Sequence, residues 1–310
     1  MGRGKSRRSL KLIDACIEIL EEIQPAPVRA VCYRLFTMGL IDSMAKNETN
    51  KVGRQLVHAR EAGMVPWPWI VDETRSVEEL PTWADPERFA EAVTRSYRRD
   101  KWQAQPVRVE VWSEKGTVRG TLAPILNKYE VPFRVMQGFA SATTVQEIAA
   151  ASLATAQPLV ALYVGDWDPS GLHMSEEDLP KRLHAYRAND REQQGIAWWD
   201  EPHFEKTHIT IVRVALSHAD VHDPALPSFP LDTKRGDPRH GWYRGAGYGT
   251  HCWELDALSP VILRERVEPA IVARLDLSVW MRYVAAEQVE RESITATVSA
   301  WRAQPMEPAR

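Results

Sequence analysis

The sequence is poor in cysteine and has no long apolar run. Cys16, Cys32 and Cys252 are the only cysteines in 310 residues. They are odd in number, far apart and form no Cys-x-x-Cys pair, which argues against a disulfide framework and a zinc finger. No stretch approaches the roughly 18–20 apolar residues that a membrane-crossing helix requires. The opening Met1-Gly2-Arg3-Gly4-Lys5 lacks the apolar core and cleavage site of a secretory leader. A reduced, cytoplasmic protein is expected on these grounds. There is no phosphate-cradling Gly-x4-Gly-Lys-[Ser/Thr] loop, so an ATPase would have to be a separate chain. There is also no Gly-x-Ser-x-Gly and no Cys/His nucleophile pattern.

What is present describes an ordinary globular chain, 44% hydrophobic and 26% charged. Its length allows about two domains. The net charge is only −3, but it is unevenly spread. Residues 1–60 hold 11 Lys or Arg against six Asp or Glu, whereas the remainder holds 28 against 36. A basic N-terminal part, including the tail Arg3, Lys5, Arg7, Arg8 and Lys11, is suited to meet a polyanion, while the body concentrates carboxylates.

Apolar spacing predicts a helix over Ser9–Ile23, ended by Pro25 and Pro27, and a second over Val28–Leu40 with Gly39 as its cap. A third runs from Asn50 to Glu61. The proline-rich Met64–Val71 that follows reads as extended. Three short helices and an extended wing describe a winged-helix module over residues 1–75. Residues 76–105 read as a connecting helix whose Arg98-Arg99-Asp100-Lys101 run forms a solvated face.

From residue 106 to the end the pattern alternates. Strands are expected at Val107–Glu114, Val131–Met136, Pro158–Asp166 and Ile209–Leu216, with helices at Gly116–Tyr129, Thr143–Thr155 and Leu179–Ala188. This is an α/β fold with a doubly wound parallel sheet, whose site belongs at the carboxyl ends of its strands.

Two of those strands end in acids. Glu114 closes the first, and Gly165-Asp166-Trp167-Asp168-Pro169-Ser170-Gly171 closes the third with two carboxylates two residues apart. In extended chain these side chains point the same way. Carboxylates gathered at strand ends repel unless a hard cation joins them, and oxygen donors suit Mg²⁺ or Mn²⁺. His218 and His222 offer a weaker metal-capable pair, and Gly245–Gly249 reads as a flexible loop. Its basic neighbours Lys234, Arg235, Arg239, His240 and Arg244 could track a nucleic-acid backbone.

Glu114 after a strand, followed by Asp166-x-Asp168-Pro-x-Gly171, resembles the Toprim fold, and most closely that of the topoisomerase VI A subunit and the related transesterase of meiotic double-strand breaks. Arg29-Ala-Val-Cys-Tyr33 resembles that family's R-x-x-[FY]-Y signature on its winged helix, departing from it at Cys32 and Ala30. Trp253-Glu254-Leu255-Asp256-Ala257-Leu258 resembles the segment that closes its Toprim domain.

The resemblance implies Mg²⁺-dependent cleavage of double-stranded DNA, with Tyr33 as nucleophile, Arg29 stabilising the phosphorane, and Glu114, Asp166 and Asp168 at the metal. Glu114 could instead be the general acid. Lys115, Arg239 and Arg244 are candidate DNA contacts. The resemblance further implies a homodimer, in which one protomer's tyrosine works with its partner's metal site. Two rivals keep parts of this reading: a Toprim nuclease that uses water, and a non-catalytic DNA-binding subunit.

Overall fold

The computed structural model describes residues 7–71, 80–136, 142–155, 157–193 and 208–302. Arg3 and Lys5 of the basic tail lie outside them, as do residues 303–310. The chain divides into two compact units, one of residues 1–75 with 109–273, the other of 76–108 with 274–310.

The first unit begins with helices α1 (Arg7–Ile23), α2 (Val28–Thr37) and α3 (Lys46–Glu61). Ile13, Cys16, Leu20 and Ile23 recur at helical spacing and pack against Val31, Cys32, Leu35, Val52 and Leu56. Pro25 and Pro27 end α1 because proline supplies no N–H. Arg264 donates to the helix-end carbonyls of Ile23 and Gln24, each at 3.2 Å. Gly39 adopts φ +69 just past α2, where an L side chain would be strained.

The expected extended stretch after α3 is instead broken by a single 3₁₀ turn at Trp67–Trp69. Pro68 fits there because the first positions of a turn need no donor. Ile70 then pairs with Ala26 as an isolated parallel bridge.

The sheet has four parallel strands: β1 (Arg108–Ser113), β2 (Phe133–Val135), β3 (Leu159–Val164) and β4 (Ile209–Ala215), in the order β2-β1-β3-β4. Helices α5 (Val118–Tyr129) and α6 (Ala142–Leu153) link the first three strands. After β3 come α7 (Pro169–His173), a π-helical turn and α8 (Leu179–Gln193). Leu159, Ala161 and Tyr163 pack with residues of α6 and α8. Alternate residues Leu162 and Val164 are buried as well, so both faces of β3 are covered.

The order decides where a site can form. The chain winds outward from β1 to β2, then crosses back to place β3 on the other side of β1. The carboxyl ends of β1 and β3 therefore flank a topological switch point. Glu114 follows one of them and Asp166 the other.

After β4 the chain forms β5 (Phe229–Pro230), α9 (His240–Gly245), β6 (His251–Cys252) and α10 (Pro260–Val272). A close approach joins the helical part to the sheet part. A Cβ built on Gly120 of α5 would lie 1.9 Å from Val71 Cγ1. Alanine favours a helix over glycine by about 1 kcal/mol, but the clash costs about 1–3 kcal/mol in a packed site. Gly120→Ala is therefore expected to lower the melting temperature by a few degrees; thermal denaturation checks this, and an unchanged or raised value would contradict it.

In the second unit, α4 (Pro86–Ser96) packs on α11 (Leu277–Arg302). The residues read as a connector are thus paired with a segment some 190 positions away. Lys101 is only 5% exposed and is bonded to Glu287. Arg99 is bonded to Glu290, which also accepts from Tyr97 Oη at 2.6 Å. The expected solvated face of Arg98–Lys101 is corrected accordingly, since acids on α11 draw two of its cations inward.

Candidate functional site

Five carboxylates and three cations meet at the carboxyl ends of β1 and β3. The extended link after β3 pairs with the segment after β6, Trp167 and Trp253 exchanging two backbone hydrogen bonds of 2.9 Å. That pairing carries Glu254 and Asp256 up to Asp166. The Leu255 N–H donates to Asp166 Oδ1 at 2.7 Å.

Asp168 leads into α7 as its N-cap, accepting from the Gly171 N–H at 2.8 Å, with Pro169 in the first turn. Gly171 is required by proximity: a Cβ there would lie 2.6 Å from the Asp166 carbonyl oxygen. The Asp-Pro-x-Gly sequence is thus a local device that presents both aspartates at the strand end.

Each aspartate meets a lysine. Lys115 Nζ lies 2.9 Å from Asp166 Oδ1 and 2.8 Å from Asp256 Oδ2. Burial acts to lower the Lys115 pKa, but Asp256 and Asp166 outweigh it, and the ammonium is held above its ordinary range. Lys234 Nζ lies 3.1 Å from Asp168 Oδ2.

Glu114 differs. Among the described residues its side chain has no hydrogen-bond or ion-pair partner. Burial, then the nearby charges of Asp166 and Asp168, push its pKa upward. An acid whose folded pKa is raised lends stability while protonated and loses it as pH climbs through the raised value. Glu114→Gln is thus expected to melt higher than the wild type at pH 8 and equally at pH 4. Melting curves at the two pH values check this, and a gain at pH 4 alone would contradict it.

The helical part reaches the same cluster. Arg29 Nε donates to Glu254 Oε2 at 2.7 Å and stands 3.6 Å from Asp256 Oδ2. One turn later in α2, the Tyr33 ring lies under the guanidinium, 5.5 Å from Cζ. A continuous polar path therefore runs from Tyr33 through Arg29, Glu254 and Asp256 to Lys115 and Asp166. Tyr33 is 6% exposed, and burial followed by the Glu254 charge holds its phenol above its ordinary pKa, against the opposing pull of Arg29.

Beside this path lies a groove of about 840 Å³ whose lining includes Arg29, Asn50, Arg54, His58, Arg60 and Asp256. Three arginines there face one carboxylate, a balance suited to a polyanion.

The structure thus brings Glu114, Asp166, Asp168, Arg29 and Tyr33 toward one region. Lys115, read as a DNA contact, is engaged by two carboxylates instead. Arg239 lies 3.1 Å from Asp237 Oδ1, and Arg244 is exposed in α9. His218 and His222 lie with ring centroids 4.3 Å apart, and His222 Nδ1 is 2.7 Å from the His218 carbonyl oxygen.

Among the described residues, no three His, Cys, Asp or Glu side chains stand close enough together to hold a metal ion. The five carboxylates offer oxygen donors, the type a hard cation takes, and they outnumber the three cations beside them, while Asp166 and Asp168 are paired with Lys115 and Lys234.

Lys234, expected to track a nucleic-acid backbone, pairs with Asp168 instead, which nothing in its spacing indicates. One participant went unrecognised in the sequence. Arg213 interrupts the apolar strand Ile-Thr-Ile-Val-Arg-Val-Ala, and a cation in a buried strand is itself a signal.

No family model matches the chain, and neither a curated protein nor a solved structure matches it.

Proposed function

We propose that this chain cleaves duplex DNA by tyrosine transesterification, as a winged-helix and Toprim protein similar to the topoisomerase VI A subunit. The observation that carries the reading is the polar path joining Arg29 and Tyr33 to Asp166. Two motifs more than 130 residues apart have no reason of packing alone to share ion-paired partners.

In this reading DNA lies along the arginine-lined groove, its charge met by Arg54 and Arg60. Tyr33 Oη forms a bond to phosphorus as the P–O3′ bond breaks, leaving a 5′-phosphotyrosine and a free 3′ hydroxyl. The phenolic proton passes to Glu254, which interacts with the Tyr33 hydroxyl. Arg29 stabilises the charge that grows on the phosphoryl oxygens. Glu114, whose raised pKa suits an acid, protonates the leaving oxygen. Asp166 and Asp168 would hold Mg²⁺, which when bound orients and polarises the scissile phosphate.

A second reading is favoured by one observation, the burial of Tyr33 with its phenol held neutral. Water would then attack at the same acids, and Tyr33 would be structural.

Supercoiled plasmid incubated with the protein and Mg²⁺, quenched with detergent and split with and without proteinase, separates the two. Product that enters the gel only after proteinase, and is lost in Tyr33→Phe, supports transesterification. Free-ended product that persists in Tyr33→Phe supports hydrolysis. Mixing inactive Tyr33→Phe with inactive Asp166→Asn tests whether two copies share a site, because only a shared site regains cutting.

A further inference from the structure

We propose that Arg213 is the positioning residue of this site, a half-buried clamp that fixes the turn carrying Asp166 and Asp168. The inference rests on the role given above to those two aspartates.

Arg213 sits inside β4 and turns its guanidinium beneath the end of β3. One terminal nitrogen donates to the carbonyls of Gly165 at 3.1 Å, Asp166 at 3.2 Å and Leu216 at 3.2 Å. The other donates to the Gly171 carbonyl at 2.9 Å and to Ser175 Oγ at 3.0 Å. One planar group therefore ties the chain just before the two acids to the helical turn just after them. The rings of Tyr163 and Trp167 lie 5.1 and 5.8 Å from Cζ and fix its orientation.

Stability alone is a poor reason for this arrangement. Among the described residues no carboxylate bonds Arg213, its Nε has no partner, and burial works against its charge. A cation drawn partly out of water without a carboxylate bonded to it is costly. What the residue supplies is a rigid fork with five donors, able to bridge both arms of the turn as an ammonium cannot.

The test is hydrogen–deuterium exchange by mass spectrometry on the full chain, with cleavage kinetics beside it, for wild type, Arg213→Met, Arg213→Lys and Ser175→Ala. Arg213→Met is expected to speed exchange over residues 165–175 by roughly tenfold or more while β1 keeps its protection. Its kcat for plasmid should fall about a hundredfold with KM little changed, because DNA is gripped elsewhere. Arg213→Lys should behave like the methionine variant. Should Arg213→Met fail to fold, Ser175→Ala, which removes one acceptor and leaves the guanidinium in place, is expected to speed exchange in the same segment by a smaller factor.

Wild-type exchange over 165–175 in Arg213→Met, or in Ser175→Ala where that variant stands in for it, would overturn the clamp. So would loss of protection throughout the molecule in a folded variant, or full recovery by lysine. Localised loosening in a protein whose wild type cuts no DNA would uphold the clamp and sink the cleavage reading instead.

Discussion

Asp166→Asn is expected to reduce DNA cleavage by roughly a thousandfold, the scale at which loss of one preorganised electrostatic group is felt in an active site. Asp166 Oδ1 accepts from both Lys115 and the Leu255 N–H. Asparagine keeps an oxygen for the amide, so the pairing of the two chain segments survives. It removes the charge that opposes Lys115 and that a divalent cation requires. The variant should therefore fold, bind DNA with near-normal affinity and fail to cut it. Circular dichroism, mobility shift and plasmid cleavage measured together check this. Retention of more than about a tenth of the cutting rate would show that Asp166 does not serve the chemistry.

The second large effect is one of pH. A phenol held above its ordinary value is neutral throughout the physiological range. If Tyr33 attacks as phenolate, the reactive fraction rises about tenfold for each pH unit below that pKa. Cleavage under single-turnover conditions should then climb with pH in that proportion while Glu114 keeps its proton, and level off once Glu114 loses it, because the loss of acid offsets the gain of phenolate. Glu114→Gln should flatten the bend and slow the reaction across the range. A rate independent of pH from 6 to 8 in Glu114→Gln, where that acid no longer titrates, would remove phenolate attack from the mechanism.

Most helices and strands up to β4 were legible in the sequence because their causes are local, whereas the helices Pro260–Val272 and Leu277–Arg302 went unread. The apolar run Leu159–Val164 and the alternating helices announce a parallel sheet, and Gly39 announces the end of α2. The placement of Glu114 and Asp166 at adjacent strand ends also follows, once β1 and β3 are neighbours.

What was not legible depends on distant partners. Nothing near Lys101 in the chain indicates that Glu287 will bury it. Nothing near Lys115 indicates that Asp256 and Asp166 will close around it. The turn at Trp67–Trp69 was missed because proline bars a long helix but not a single 3₁₀ turn. Arg213 could have been singled out, since a guanidinium within an apolar strand needs acceptors, and the carbonyls flanking Asp166 provide them.

The most direct measurement is mass spectrometry of the protein after reaction with plasmid and Mg²⁺, nuclease trimming of the DNA and digestion with a protease. Transesterification by Tyr33 requires a nucleotide joined through its 5′ phosphate to the peptide carrying Tyr33, absent from Asp166→Asn. Cleaved DNA with free 5′ phosphates and an unmodified Tyr33 peptide would contradict it and transfer the chemistry to water.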